Sequence, residues 1–358
     1  MVTYLLGTAH DSELHMNFFR LLILSFVLLA GHIPRAQAQQ GIPALFNFQS
    51  GGSACRVYSI GPAPSSPTIE RERVVLEKAL VWFGKAISSA KADTQSARAV
   101  AHELQALAEA RAFTRLDWSG SGSSPAHWQT NLLKNIAMAV NVIDHRGGWS
   151  GEQREVVVAW GNEVYRSTHY TAWNRSQSDR WPDTMATAAA AYTLWGIAAP
   201  NAKALSEGQS DFKKVARLLR PTGGTGSYYG GGKYASDLPD GWGARIEDKL
   251  LGDLVLTAYA AGRIGRDLFN VKFGKVSLYE GIIGWQSTLF ADHGAAVRGE
   301  DLSFFNREGG ERSWAWTEYF VANFSNDPAS AALREESARI RGSGYVSQSM
   351  GPATCLLR

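Results

Sequence analysis

Cysteine is nearly absent: Cys55 and Cys355 are the only two in 358 residues. They stand near opposite ends of the chain and are expected to pair in an oxidising compartment, closing a loop of about 300 residues. Once paired, they leave no thiol for nucleophilic catalysis and no thiolate set for a metal. A membrane-spanning run is missing too. The apolar stretch Leu21–Gly31 falls well short of the roughly 20 residues a spanning helix needs, so no stable membrane anchor is expected. Charge of one sign is also scarce: the formal net charge is +3, too weak and too scattered to argue for nucleic acid, yet compatible with an acidic substrate. His127, Asp144-His145 and Asp292-His293 lack the H-E-x-x-H spacing of a metal site, and no Gly-x-Ser-x-Gly elbow is present. Metal-assisted hydrolysis and serine-esterase chemistry therefore find no support, and no cofactor is expected.

What is present begins with an export signal. Arg20 precedes the apolar run, and Ala36-Gln37-Ala38 has the small–x–small form of a signal-peptidase site. Residues 1–38 are read as a signal peptide, with Met16 as an alternative start, residues 39–68 as an irregular lead-in rich in Gly, Ser and Pro, and residues 69–358 as one domain. A periplasmic or secreted location follows from that reading. Hydrophobic residues make up 45% and charged residues 19%, enough apolar material for a large core. Twelve Trp and twelve Tyr exceed what a core alone requires, and exposed rings suit sugar-binding grooves.

From Thr68 onward helical spacing dominates. Val74, Val75, Ala79, Trp82, Phe83 and Ile87 mark one helix; Val100, Leu104, Leu107, Ala108 and Ala112 mark the next. Leu132 to Ile143 form a third, stopped by Gly147-Gly148, and Ser150-x-x-Gln153 has the form of a capping box opening a fourth. Further helices are expected around Phe212–Leu219, Leu251–Gly262, Trp314–Phe324 and Ala329–Ile340, with residues 270–310 less regular. No alternating strand pattern persists. The expected class is all-α, built of antiparallel helical hairpins that stack or close into a toroid.

One stretch stands apart. His169, Tyr170, Trp173, Asn174, Arg175, Asp179, Arg180 and Trp181 fall within thirteen residues that lack apolar periodicity. An amphipathic helix follows, with Met185, Ala188, Ala189, Tyr192 and Trp195 at helical spacing, Pro182 at its first position and Asp183 in its first turn. A polar, aromatic and cationic loop feeding a helix N-terminus is suited to holding an anion. A second such stretch is the glycine-dense segment Gly223–Tyr234, which carries Tyr228, Tyr229 and Gly230-Gly231-Gly232 but no Gly-Lys-Ser/Thr phosphate loop. Arg245 and Lys249, four apart, share one helical face beyond it.

The segment Glu311-Arg312-Ser313-Trp314-Ala315-Trp316-Thr317-Glu318-Tyr319-Phe320 resembles the Ala-Trp-Leu-Glu-Pro-Tyr segment of periplasmic alginate lyases. The tail Ser349–Thr354 is similar to that family's closing Gly-Gly-Asp-x-Thr stretch, and Asn174 with the Met185–Ala188 helix resembles its Asn-Asn-His and following helix. The resemblance runs from about residue 95 to the C-terminus and implies an incomplete (α/α) toroid with a long groove and polysaccharide lyase ancestry. Departures accompany it. The family's Asn-Asn-His falls on Asn174, Arg175 and Ser176, its Tyr-His-Asn-Tyr helix falls near Arg245–Leu250 without a Tyr or His, and its catalytic lysine has no counterpart motif.

Elimination of a uronate polymer needs a donor to neutralise the C5 carboxylate, a base for the C5 proton and an acid for the departing O4. Asn174 with Arg175 or Arg180 suits the first task, His169 the second, and Tyr170 or Tyr229 the third. Trp173, Tyr228, Arg245 and Lys249 are candidates for holding further sugar rings and carboxylates. Two alternatives stand beside this reading. One is a polysaccharide-binding protein without catalysis on the same fold. The other is an α/α-barrel glycoside hydrolase drawing on Asp179, Asp183, Asp237, Asp240 and Glu247.

Overall fold

Asp93 separates the first two helices, and its carboxylate makes the second one start. In the computed structural model α1 spans Arg73–Ala92 and α2 spans Thr94–Glu109, with Asp93 Oδ1 accepting from Ser96 N at 2.7 Å as the N-cap. The structure describes residues 41–48, 54–64, 73–114, 125–170, 182–221, 223–225, 228–229, 233–234, 242–290, 315–335 and 350–358. The chain divides into residues 1–42, of which only Gly41 and Ile42 are described, and residues 43–358. α1 buries Leu76, Ala79, Leu80, Phe83, Ala86, Ile87 and Ala90, one stripe at three- and four-residue spacing.

The second hairpin is α3 (Pro125–Arg146) and α4 (Gln153–Tyr170). Gly147 ends α3 at φ +64°, a conformation that favours glycine, and Gly148 N donates back to Ile143 O at 3.1 Å, closing the terminus. Gln153 Oε1 accepts from Ser150 N at 2.9 Å, the reciprocal half of the capping box. The third hairpin is α5 (Pro182–Ala198) and α6 (Ala202–Ala216), capped by Asn201, which accepts from Ala204 N at 3.0 Å. Then come a two-stranded antiparallel ribbon, β1 (Tyr228–Tyr229) and β2 (Lys233–Tyr234), and the helices α7 (Trp242–Gly262) and α8 (Leu278–Phe290). α9 (Trp316–Asn323), a 3-10 turn at Pro328–Ser330 and α10 (Ala353–Leu357) complete the described elements.

Odd-numbered helices form one layer, each against the next in the order α1, α3, α5, α7, α9. α2, α4 and α6 back their hairpin partners, and α10 touches both α9 and α1. This is the incomplete (α/α) toroid. α5 sits mid-layer, between α3 and α7 with α6 behind it, and is buried on nearly every side, so the amphipathic expectation gives way to an all-round apolar helix. Trp195 on α5 is fully buried, and a Cβ on Gly161 of α4 would come within 2.2 Å of its ring. Two further expectations are corrected. The glycine-dense segment holds a short β-ribbon, with Tyr228 opposite Tyr234 and Tyr229 opposite Lys233. The span read as irregular contains α8, whose glycines masked it. Gly284 is there because a Cβ would meet Pro221 O at 2.0 Å.

The chain ends meet at a seam. Cys55 and Cys355 are disulfide-bonded, Asn47 N donates to Leu356 O at 3.1 Å, and Asn141 on α3 bonds Pro43 O and Leu45 N, each at 3.0 Å. Lys91, fully buried at the end of α1, donates to Cys355 O. Among the described residues no helix is long and apolar enough to cross a membrane.

Candidate functional site

The N-terminal halves of α3, α5 and α7 carry a cluster of polar groups inside the helical layer. Gln129, Asn131, Lys134 and Asn135 on α3 are buried, as are Thr187 on α5 and Glu247, Asp248 and Asp253 on α7. Buried polar groups at this density require partners, because an unmet one costs about 1–3 kcal/mol.

Asp253 is the hub. Its Oδ1 lies 2.5 Å from Lys134 Nζ, both side chains being fully buried, and its Oδ2 lies 2.5 Å from Thr187 Oγ1. The Thr187 hydroxyl is also 3.0 Å from Asp183 O, so one side chain ties the first turn of α5 to α7. Burial pushes Lys134 below the ordinary lysine pKa. Asp253 opposes that shift and the nearby Lys249 adds to it.

One turn before Asp253, Lys249 extends its ammonium to 3.8 Å from Asp183 Oδ2. The two side chains keep 27% and 13% of their surface, so this pair reaches solvent where the Lys134–Asp253 pair does not. Among the described residues, the buried Asp183 Oδ1 has no hydrogen-bond partner. Asp183 sits in the first turn of α5, where the helix dipole favours its charge. Charges therefore alternate across the helices: Asp183, Lys249, Asp253, Lys134.

The residues flanking Lys249 point elsewhere. Glu247 accepts from Thr225 N at 2.7 Å and Thr225 Oγ1 at 3.0 Å, anchoring the start of the glycine-dense segment. Gly223 at φ +80° makes that approach possible, and a Cβ there would strike the Trp285 backbone at 2.4 Å. Asp248 accepts from Trp316 Nε1 at 2.9 Å, fixing α9. Glu318 in turn accepts from Thr354, and Tyr319 donates to Met350 O at 2.8 Å, so the C-terminal segment is tied to the same wall. Glu247, one of the carboxylates considered for hydrolysis, is thus committed to holding a loop.

Of the residues assigned from sequence to elimination or to holding the sugar chain, Lys249 is the one whose side chain is described, and it faces Asp183 at the start of α5. His169 and Tyr170 are the last two residues of α4, so the distinctive stretch begins in a helix and not in a loop. Tyr228 and Tyr229 form β1, and Arg245 lies in the first turn of α7, four residues before Lys249. Trp173, Asn174, Arg175 and Arg180 lie outside the described residues, as do Asp179, Asp237 and Asp240. Lys134, Thr187 and Asp253 were missed. The available signal was a lysine between Leu133 and Ile136, flanked by Asn131 and Asn135, on the apolar stretch that runs from Leu132 to Ile143.

The layered arrangement defines the class first: an (α/α) toroid of helical hairpins. Among solved structures it is similar to alginate lyase A1-III. A His→Ala variant of that enzyme complexed with a tetrasaccharide superposes with a TM-score of 0.62 at 15% identity, over 87% of this chain and 89% of that one. A Tyr→Phe variant, also complexed with a tetrasaccharide, gives 0.62 at 14% identity over 90% and 98%. The enzyme from Sphingomonas species A1 gives 0.58 at 15% identity over 88% and 89%. No family model matches the sequence, and no curated protein sequence does either.

Proposed function

We propose that this protein is an exported polysaccharide lyase that cleaves a uronate-containing, alginate-like polymer by β-elimination. The observation that carries the reading is the shared toroid, matched along nearly its whole length to an enzyme whose structures hold a tetrasaccharide. In the reaction Asn174 and Arg175 neutralise the C5 carboxylate, and His169 removes the C5 proton. The C–H electron pair becomes the C4–C5 double bond, the C4–O4 bond breaks, and Tyr170 or Tyr229 protonates O4. Arg180, Arg245 and Lys249 hold neighbouring carboxylates while Trp173 and Tyr228 stack on sugar rings. Lys249 suits this task because its contact with Asp183 is long and partly solvated, so a substrate carboxylate can compete for it. Residues 1–38 act as the export signal and residues 69–358 as the catalytic domain, and the disulfide is consistent with an oxidising destination.

A second reading, a polysaccharide-binding protein without turnover, is favoured by one feature: Ser176 stands where the alginate lyase pattern has histidine. Incubation with polymannuronate, polyguluronate and polyglucuronate, followed by ultraviolet absorbance, separates the readings. A rise reports the unsaturated uronate and is the expected result. Binding without a rise selects the second reading, and new reducing ends without a rise select hydrolysis. Asn174→Ala should abolish the rise while Asp240→Asn leaves it in place.

A further inference from the structure

A second concentration of charge, all of it positive in excess, lies on the end of α6 and the segment that follows α7. Residues 209–220 and 263–276 together hold eight Lys and Arg against two Asp, a net of +6 beside +3 for the full chain, which leaves −3 for all the rest. All eight cations are exposed. Packing brings the two segments together: Phe212 meets Phe273 edge-on at 5.9 Å, and Gly274 lies where a Cβ would meet Arg217 O at 2.5 Å.

The acids nearby are already engaged. Asp211 pairs with Lys214 at 3.3 Å, Glu280 pairs with Lys272 at 2.6 Å, and Asp267 accepts from Asn270 and Phe269 within its own turn. Among the described residues no carboxylate lies within ion-pair distance of Lys213, Arg217 or Lys275. These charges are also placed in a row. Gln209, which accepts from Arg266, Lys213 and Arg217 follow one another at four-residue steps on α6 and its C-cap, about 6 Å apart along the axis. Lys213 is held 5.8 Å over the Phe273 ring, and Lys275 adjoins Gly274 beside Arg217.

We infer that this stripe is a second binding surface for an acidic polysaccharide, separate from the Lys249 cluster. Lys213 and Arg217 one turn apart, with Arg266 held by Gln209 a turn earlier, suit a linear polymer carrying one carboxylate per sugar ring, and seating Lys213 on Phe273 lowers the ordering cost of binding. The inference deepens the proposed function by assigning the same substrate class to a second site. Its chemical identification rests on that reading; its existence does not.

The test compares the full-length protein with Lys213→Glu/Arg217→Glu/Lys275→Glu, and with the milder Gln triple variant should the Glu variant fail to fold by circular dichroism. Binding to immobilised polymannuronate and polyglucuronate is measured across a salt series, alongside elimination from a tetrasaccharide. The expected result is a loss of about tenfold or more in polymer affinity at low salt, with a shallower salt slope and unchanged tetrasaccharide turnover. Loss of polymer binding in a protein that shows no elimination activity at all would sink the lyase reading and keep the stripe. Polymer affinity unchanged within about twofold would overturn the stripe. So would a variant that loses binding only to phosphatidylglycerol vesicles, which would make the surface a membrane contact.

Discussion

Two fully buried lysines mark the two ends of the chemistry in this fold. Lys134 lies inside the helical layer against Asp253, whereas Lys91 lies at the seam against the Cys355 carbonyl, with the Phe48 ring 5.9 Å away. Both are desolvated, but one is met by a full negative charge and the other, among the described residues, by a dipole and a ring. Arg146, 5.6 Å from the same Phe48 ring, adds repulsion at the seam. The contrast teaches that a carboxylate partner is reserved for the region where three helices must be held in register beside the candidate site. The seam relies instead on a covalent bond.

The sharpest way to break the contrast is to remove the charge at the hub. Asp253→Asn leaves Lys134 buried without a counter-ion and should cost about 3–5 kcal/mol, read as a large drop in the denaturation midpoint. Lys134→Met combined with Asp253→Leu should recover most of that loss, because a well-packed apolar pair avoids both desolvation penalties. If the single substitution costs as little as an exposed pair would, Asp253 is not the hub.

Opening the seam comes next. Cys55→Ser/Cys355→Ser should lower stability by about 2–5 kcal/mol by freeing the unfolded chain of its cross-link. Thermal unfolding with and without reductant measures it. The double variant should also let water reach Lys91, which links this result to the next.

Lys91 titrates unusually low, at about 8, chiefly through burial and secondarily through Arg146. An unfolded lysine holds its proton up to about 10.4. Between those values the unfolded chain binds more protons than the folded one, so stability rises with pH across that window. Wild type should therefore gain on Lys91→Met by up to about 3 kcal/mol between pH 8 and pH 10.5, and keep a constant difference from it below pH 7. In the cysteine-free protein the gain should shrink, since a hydrated lysine returns toward its ordinary value.

How much of this was legible beforehand follows from the physics of each signal. Helices with a single apolar stripe, such as α1 and α2, announce themselves through spacing. α8 does not, because Gly281 and Gly284 read as breakers until Pro221 is seen pressed against the helix. The disulfide was legible because only one pairing exists. The hub was not, since Lys134, Thr187 and Asp253 are separated by 53 and 66 positions and meet only after three helices pack. Lys249 could be named as a cation on a helix face, but its partner Asp183 had been read as a dipole-favoured first-turn residue. Both readings of Asp183 hold, because the start of α5 lies against α7.

The smallest expected effect separates the exposed pair from the buried one. Asp183→Asn removes the acid facing Lys249 at 3.8 Å, a contact that keeps solvent access on both sides. Its stability cost should stay within about 1 kcal/mol, as for other partly exposed ion pairs and first-turn acids. Affinity should move the other way. With that carboxylate gone, Lys249 has one competitor fewer for a substrate carboxylate, so binding of an acidic oligosaccharide should tighten, and Lys249→Gln should weaken it whether or not Asp183 is present. Titration calorimetry on the two single variants and the double variant decides the matter. If Asp183→Asn weakens binding as much as Lys249→Gln does, the acid is needed to hold the ammonium in place, and Lys249 is a strut of the wall and not a hand extended to the substrate.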